Sequence, residues 1–392
     1  MERRSLLAAF LAPLARSAPR LKITEARVVR LKRARTAGTL EPAWNPGGRM
    51  EIATGGGTYV EIATDEGLTG IGPALDPALL EAVNAQLKGQ DPFDIERHAA
   101  RLRQYAMGPN YRGCASVDIA LWDLIGKASK QPLQKLFGGG RDKVIPYASM
   151  ILLSTPEERA RMASSLLAQG WRAIKLRLHH ETMREDVRTV ELVRKAVGER
   201  MTIMVDANQA QSAHNWQPGV RWDFERALAT ARELERLNCY WLEEPLPRYA
   251  FDQLAELNRQ VNVPLAGGEN NRGLHEFRAM CEQGVYDILQ PESMVGEGIT
   301  NLRKIGALAE IWNKRVVPHH GGGDIGTVAH LHLVAAWTHA PYFELLHDPP
   351  VGAYEHRFAI MADPPKVDKE GYLSVPQGAG LGVEFDAGLR EA

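Results

Sequence analysis

Thr202-Ile203-Met204-Val205-Asp206, Tyr240-Trp241-Leu242-Glu243-Glu244-Pro245 and Val263-Pro264-Leu265-Ala266-Gly267-Gly268-Glu269 follow one pattern, a short apolar run that ends in an acid. Five further short apolar runs, at 144–150, 173–178, 287–289, 315–317 and 342–345, flank them, and helical segments lie between. Short apolar runs alternating with amphipathic segments are the pattern of repeated βα units around a parallel sheet. Eight of them predict a (β/α)8-type barrel within an α/β fold. In such barrels the working residues sit where the strands end.

Three successive strand ends therefore deliver Asp206, Glu243 and Glu269 to one rim. Neighbouring strands lie ~4.8 Å apart, so these acids repel one another unless a hard cation lies between them. Mg2+, with its oxygen ligands and open positions for water or substrate, suits the set. Glu244, next on the same strand, is expected by alternation to face away. The second strand carries Lys175 and Arg177 on one face, the sixth ends in Gln290-Pro291-Glu292, the seventh in Pro318-His319-His320, and the eighth holds Glu344. A carboxylate beside a histidine on the next strand orients the imidazole and raises its basicity for proton transfer.

The rest of the 392 residues frames this unit. The length predicts two domains or a barrel with additions, and 44% hydrophobic and 24% charged residues exclude a disordered or fibrous chain. Forty-seven basic against 48 acidic residues leave a net charge of −1, so no global field recruits nucleic acid or an acidic membrane. No apolar stretch is long enough to span a bilayer. Cys114, Cys239 and Cys281 are widely spaced and read as buried thiols. Residues 21–140 read as an α+β domain, 141–345 as the barrel, and 346–392 as a segment returning to the first domain. Residues 1–20 are an export signal or an unstructured N-terminus. Arg3-Arg4 before Leu6-Leu7-Ala8-Ala9-Phe10-Leu11-Ala12 resembles a twin-arginine signal, which implies a periplasmic location; otherwise the chain is cytoplasmic.

The contexts Val205-Asp206-Ala207-Asn208-Gln209, Trp241-Leu242-Glu243-Glu244-Pro245 and Gly268-Glu269-Asn270 closely resemble the enolase superfamily, mandelate racemase subgroup. Thr64-Asp65-Glu66-Gly67 and Asp118-Ile119-Ala120-Leu121-Trp122-Asp123 resemble that family's capping domain. The resemblance runs from about Leu21 to the end. It implies that Asp206, Glu243 and Glu269 bind Mg2+ and that Lys175 and Arg177 form the basic second-strand motif. It further implies that His319 and Glu292 form the His–acid dyad, with His320 the alternative one residue on, and that Glu344 meets the substrate carboxylate or its enediolate. Substrate contacts are assigned to Trp44, Asn45 and Arg49 in the capping loop 36–49, to Asn208 and His214, and to His320.

Two departures from the family pattern bear on the reaction. Arg177 stands where the racemases carry a second lysine, and a guanidinium is a poor base; Glu292 stands where Asp is usual. One competent base suits Mg2+-dependent dehydration of a sugar acid to a 2-keto-3-deoxy acid. The alternatives are a racemase, epimerase or cycloisomerase using the same enediolate, or a non-catalytic metal-dependent receptor for acid sugars. The expected partner is a small carboxylate substrate, and the chain is expected to form a homo-oligomer.

Overall fold

The computed structural model describes residues 21–389 apart from residues 107, 109 and 212–217. The twin-arginine-like start and the assigned contact His214 lie outside the described residues. Strands Ile23–Arg30, Thr58–Thr64 and Thr69–Gly72 form an antiparallel sheet, and Arg33–Leu40 pairs with Met50–Gly55 as a separate hairpin. The Asp65-Glu66-Gly67 turn joins the second and third strands of the sheet, with Gly67 at φ 79°.

Helix Tyr111–Ala128, capped by Asn110 accepting from the Gly113 N–H, is buried from Gly113 to Gly126. It is buried all round because it lies between the sheet and the barrel. On the sheet side the backbones approach so closely that a Cβ at Gly72 would meet Ser116 O at 2.0 Å. On the barrel side Asp118 accepts the Thr300 N–H at 3.0 Å, and Trp122 Nε1 donates to Thr300 Oγ1 at 2.8 Å. Asp123 accepts from the N–H groups of Ile71 and Leu381. The two acids of that motif thus tie the N-terminal block to a barrel helix and to the C-terminal segment.

All eight predicted runs are strands of one parallel sheet: Pro146–Ser149, Ala173–Arg177, Thr202–Asp206, Leu242–Glu243, Leu265–Gly267, Ile288–Leu289, Arg315–Val316 and Phe343–Leu346. Counted as first to eighth, they are ordered 7-6-5-4-3-2-1-8. Seven helices of ten to fifteen residues follow the first seven strands. The eighth is followed, among the described residues, by no α-helix. Instead the chain returns past the N-terminal block, pairing Leu373–Ser374 with Lys143–Val144 and setting Phe385 4.2 Å from the Tyr59 ring. Helix Phe224–Arg236 buries Ala227, Thr230, Ala231 and Leu234, while Arg236 pairs with Glu233 and Glu191 on its exposed side. Cys114, Cys239 and Cys281 are buried and free, and no described helix is long and apolar enough to cross a membrane.

The barrel interior is layered by strand alternation. Tyr147, Ala173, Met204, Trp241, Ala266, Ile288 and Val317 form one apolar cluster. Two residues further along the same strands stand Ser149, Lys175, Asp206, Glu243, Gly268, Gln290 and His319. Because side chains repeat a face every second residue, the apolar layer is the floor on which the polar layer rests.

Candidate active site

Over the polar layer opens a cavity of about 500 Å³, lined by Arg177, Asn208, Gln211, Glu269, His319 and His320 from the barrel and by Trp44 and Met50–Ala53 from the hairpin. The hairpin is held there by Leu40 and Ile52 packing on Ile151 and Leu346 at the ends of the first and eighth strands. The Ala43 N–H also donates to Ile151 O at 2.8 Å. Of the contacts expected from loop 36–49, only Trp44 faces the cavity, its ring 4.6 Å from the Arg177 guanidinium carbon. Asn45 and Arg49 are exposed outside it. The tip folds on itself, with Asn45 N–H on Pro42 O and Gly48 N–H on Asn45 O, so the residues turned inward are those of the returning strand.

Beneath the cavity, Lys175, Asp206, Glu243 and Glu344 are fully buried. Lys175 Nζ lies 2.6 Å from Glu243 Oε1, 3.0 Å from Glu344 Oε1 and 3.3 Å from Asp206 Oδ2. Burial opposes its charge, but Glu243, Glu344 and Asp206 outweigh burial and hold its pKa above the ordinary value. Arg177 binds Asp206 and donates to Met150 O (2.7 Å), Asn208 Oδ1 (3.1 Å) and Ser149 Oγ (3.1 Å). Asn208 Oδ1 also accepts from His179 Nε2 at 3.0 Å, and the Asn208 backbone N–H donates to Asp206 Oδ1 at 2.8 Å.

Negative charge is in excess here. Burial, then the charge of Asp206, pushes Glu243 up to about 8. Glu344, despite its burial, is held down at about 2 by Lys175, His319 and Arg177. Glu244 follows the end of its strand at Glu243, where the backbone turns to φ 45°. Its carboxylate stays buried with neither oxygen hydrogen-bonded, and burial followed by the charges of Glu269 and Asp206 raises its pKa well above the usual range. Asp206, Glu243 and Glu269, in a region where buried acids exceed their cationic partners, are a donor set that a hard divalent cation fits.

On the other side of the cavity His319 Nδ1 lies 2.8 Å from Glu292 Oε2, and Nε2 lies 3.3 Å from Glu269 Oε2. Burial opposes protonation of His319, but the Glu269 charge and the Glu292 hydrogen bond push it up to about 10. Glu292 is itself held down at about 2, against its burial, by His330 and His319. The longer acid reaches the ring and is fixed by the N–H groups of Gly321 and Met294. His320 lines the cavity without a carboxylate partner; its Nδ1 accepts the Gly322 N–H at 3.1 Å. Ligand atoms of Glu292, His319 and His320 lie within 4.8 Å of one another. That set is nitrogen-rich and already hydrogen-bonded, so it suits Mg2+ less well than the carboxylates.

Sequence reading missed three residues of this region. His330 reaches in from the seventh barrel helix, its Nδ1 on His319 O and its Nε2 on Ser293 Oγ. Gln290 donates to Glu243 Oε2 at 2.8 Å. Arg357, beyond the eighth strand, lines the cavity. Gln290 was visible as a strand end; the other two carry no sequence signal, since neither lies on a strand.

A family model for the enolase C-terminal domain-like fold matches residues 158–389. One for the mandelate racemase/muconate lactonizing enzyme N-terminal domain matches residues 48–138. The chain belongs to the enolase superfamily. Within that superfamily it is 30% identical to arabinonate dehydratase of Saccharolobus solfataricus, over 84% of this chain and 88% of the relative. It is 32% identical to 3,6-anhydro-alpha-L-galactonate cycloisomerase of Streptomyces coelicolor, over 83% and 88%. The crystal structure of D-glucarate dehydratase from Agrobacterium tumefaciens complexed with magnesium superposes with a TM-score of 0.80 at 28% identity, covering 95% of this chain and 99% of that one. Sugar-acid dehydratases, cycloisomerases and epimerases all stand among the relatives, and this enolase-superfamily chain is an enzyme.

Proposed function

We propose that the enzyme is a Mg2+-dependent sugar-acid dehydratase that forms 2-keto-3-deoxy acids. The observation that carries this reading is the His319–Glu292 dyad, which among the described residues of the cavity faces a second strand with no free base. Lys175 is committed to three carboxylates, and the Arg177 guanidinium to Asp206, Met150 O, Asn208 and Ser149. Racemisation through two opposed bases finds no second base there, whereas elimination needs one.

Asp206, Glu243 and Glu269 would hold Mg2+, which supplies a Lewis acid to the substrate carboxylate and its enediolate. With the Glu269 charge that raises His319 offset by Mg2+, Glu292 would keep the His319 Nδ1 proton in place and leave Nε2 free to take the α-proton from C2. Lys175 and Arg177 offset the charge that develops on the carboxylate, and Trp44 with the hairpin excludes water. The hydroxyl at C3 then departs as water, taking the proton from His319 if the elimination is syn. The resulting enol ketonises by gaining a proton at C3.

A panel of aldonic and aldaric acids with a 2-keto acid readout tests the proposal; turnover of none of them, with Mg2+ bound, contradicts it. The cycloisomerase relative supports a second reading in which the same base acts on an anhydro sugar acid or a lactone, and that product has lost no water.

A further inference from the structure

At one side of the cavity stand two charged groups that the proposed chemistry leaves unused. Arg357, in the segment after the eighth strand, and Asp324, first residue of the seventh barrel helix, both line the cavity. A Cβ at Gly323, the residue before Asp324, would stand 3.6 Å from Arg357 Nη1, so the guanidinium lies against the start of that helix. The two are near enough for each charge to act on the other, yet no ion pair joins them. Neither side chain makes a hydrogen bond with a described residue. The other cation of the lining, Arg177, has its donors spent on four partners.

An unpaired guanidinium and an unpaired carboxylate, neighbours at one side of the cavity, offer donors and an acceptor to one ligand. A vicinal diol meets both, because each hydroxyl donates one hydrogen bond and accepts others. A second carboxylate meets only Arg357 and is repelled by Asp324. We infer that Arg357 and Asp324 clamp the hydroxylated end of the substrate, so that the site selects sugar monoacids over diacids. This rests on the sugar-acid reading above and deepens it. The carboxylate held near Lys175 and the diol held at Arg357 would fix the chain at both ends, which aligns C2 with His319 Nε2.

The test is calorimetric titration of the Mg2+-loaded His319→Asn protein, which holds substrate without turnover, using six-carbon aldonates and the matching aldarates. The clamp predicts tighter binding of aldonates, at least a tenfold loss of aldonate affinity in His319→Asn/Arg357→Gln, and a smaller loss with Arg357→Lys. Asp324→Asn should shift the aldarate-to-aldonate affinity ratio upward by at least fivefold. Aldonate affinity unchanged within twofold by Arg357→Gln, or aldarates bound more tightly by the parent, overturns the clamp alone. Failure of every acid to bind overturns the sugar-acid reading and the clamp with it.

Discussion

His319 Nδ1 lies 2.8 Å from Glu292 Oε2, and that same oxygen accepts the Gly321 N–H at 2.9 Å, so the acid that orients the base is itself held by the loop carrying the base. Glu292→Gln keeps a group able to accept from Nδ1 but removes the charge that favours the imidazolium formed during proton transfer. It should lower kcat by roughly 10- to 100-fold, with KM changed far less. Steady-state kinetics on the best aldonate check this. A KM effect larger than the kcat effect would assign Glu292 to substrate binding instead.

Metal binding is expected to stabilise the fold. Saturating Mg2+ at about 100 times its Kd contributes ~2.7 kcal/mol, several degrees in Tm. Asp206→Asn should lose most of this increment, and so should Glu269→Gln, as followed by thermal unfolding with and without MgCl2. Glu244 is a separate case, since its buried oxygens lack partners. Glu244→Gln should retain the Mg2+ increment, and its loss there with retention in Glu243→Gln would move the ligand assignment by one residue.

Arg177→Lys should keep α-proton exchange while lowering kcat/KM about 10- to 100-fold, because a lysine cannot reproduce the fork that reaches Asp206, Asn208, Met150 O and Ser149 together. Exchange measured by proton NMR in D2O decides it. Complete loss of exchange in a folded variant would make Arg177 part of the proton-transfer machinery.

Acid should destabilise the fold through buried histidines that do not line the cavity. Burial lowers His332 to about 4, with Nδ1 accepting from the Gln134 N–H and Nε2 donating to Leu381 O. His347, stacked 4.6 Å from Trp171, is likewise lowered to about 4 by burial. The folded pKa lies below the unfolded value of ~6.5, so the unfolded chain takes the proton first. This contribution is complete above about pH 6.5 and is lost as pH falls toward 4. Between pH 6 and 4.5 the wild type should lose about 1.4 kcal/mol per pH unit more than His332→Gln in urea titrations. Equal slopes would show that His332 is not held neutral.

Much of this arrangement was legible in the sequence because strand alternation is a strict rule. Once 202–205 and 240–242 read as strands, Asp206 and Glu243 had to reach one rim, and Lys175 and Arg177 had to share a face; Glu269 lies past the end of its strand at Gly267, after Gly268 turns to φ 118°. Asn45 and Arg49, expected at the substrate, lie outside the cavity because a hairpin tip is set by its own turn hydrogen bonds, which composition does not reveal. His330 and Arg357 arrive from a helix and from the returning C-terminal segment, and only the three-dimensional path of the chain brings them to the cavity.

The central claim is that His319 alone removes the α-proton and that water then leaves. Turnover of the best aldonate in D2O, followed by NMR for the wild type and His319→Asn, tests it most directly. The account predicts a 2-keto-3-deoxy acid carrying one deuterium at C3 from the wild type, and neither product nor exchange at C2 from His319→Asn. A substrate that gains deuterium at C2 with no 2-keto acid formed, or undiminished exchange in His319→Asn, would contradict it.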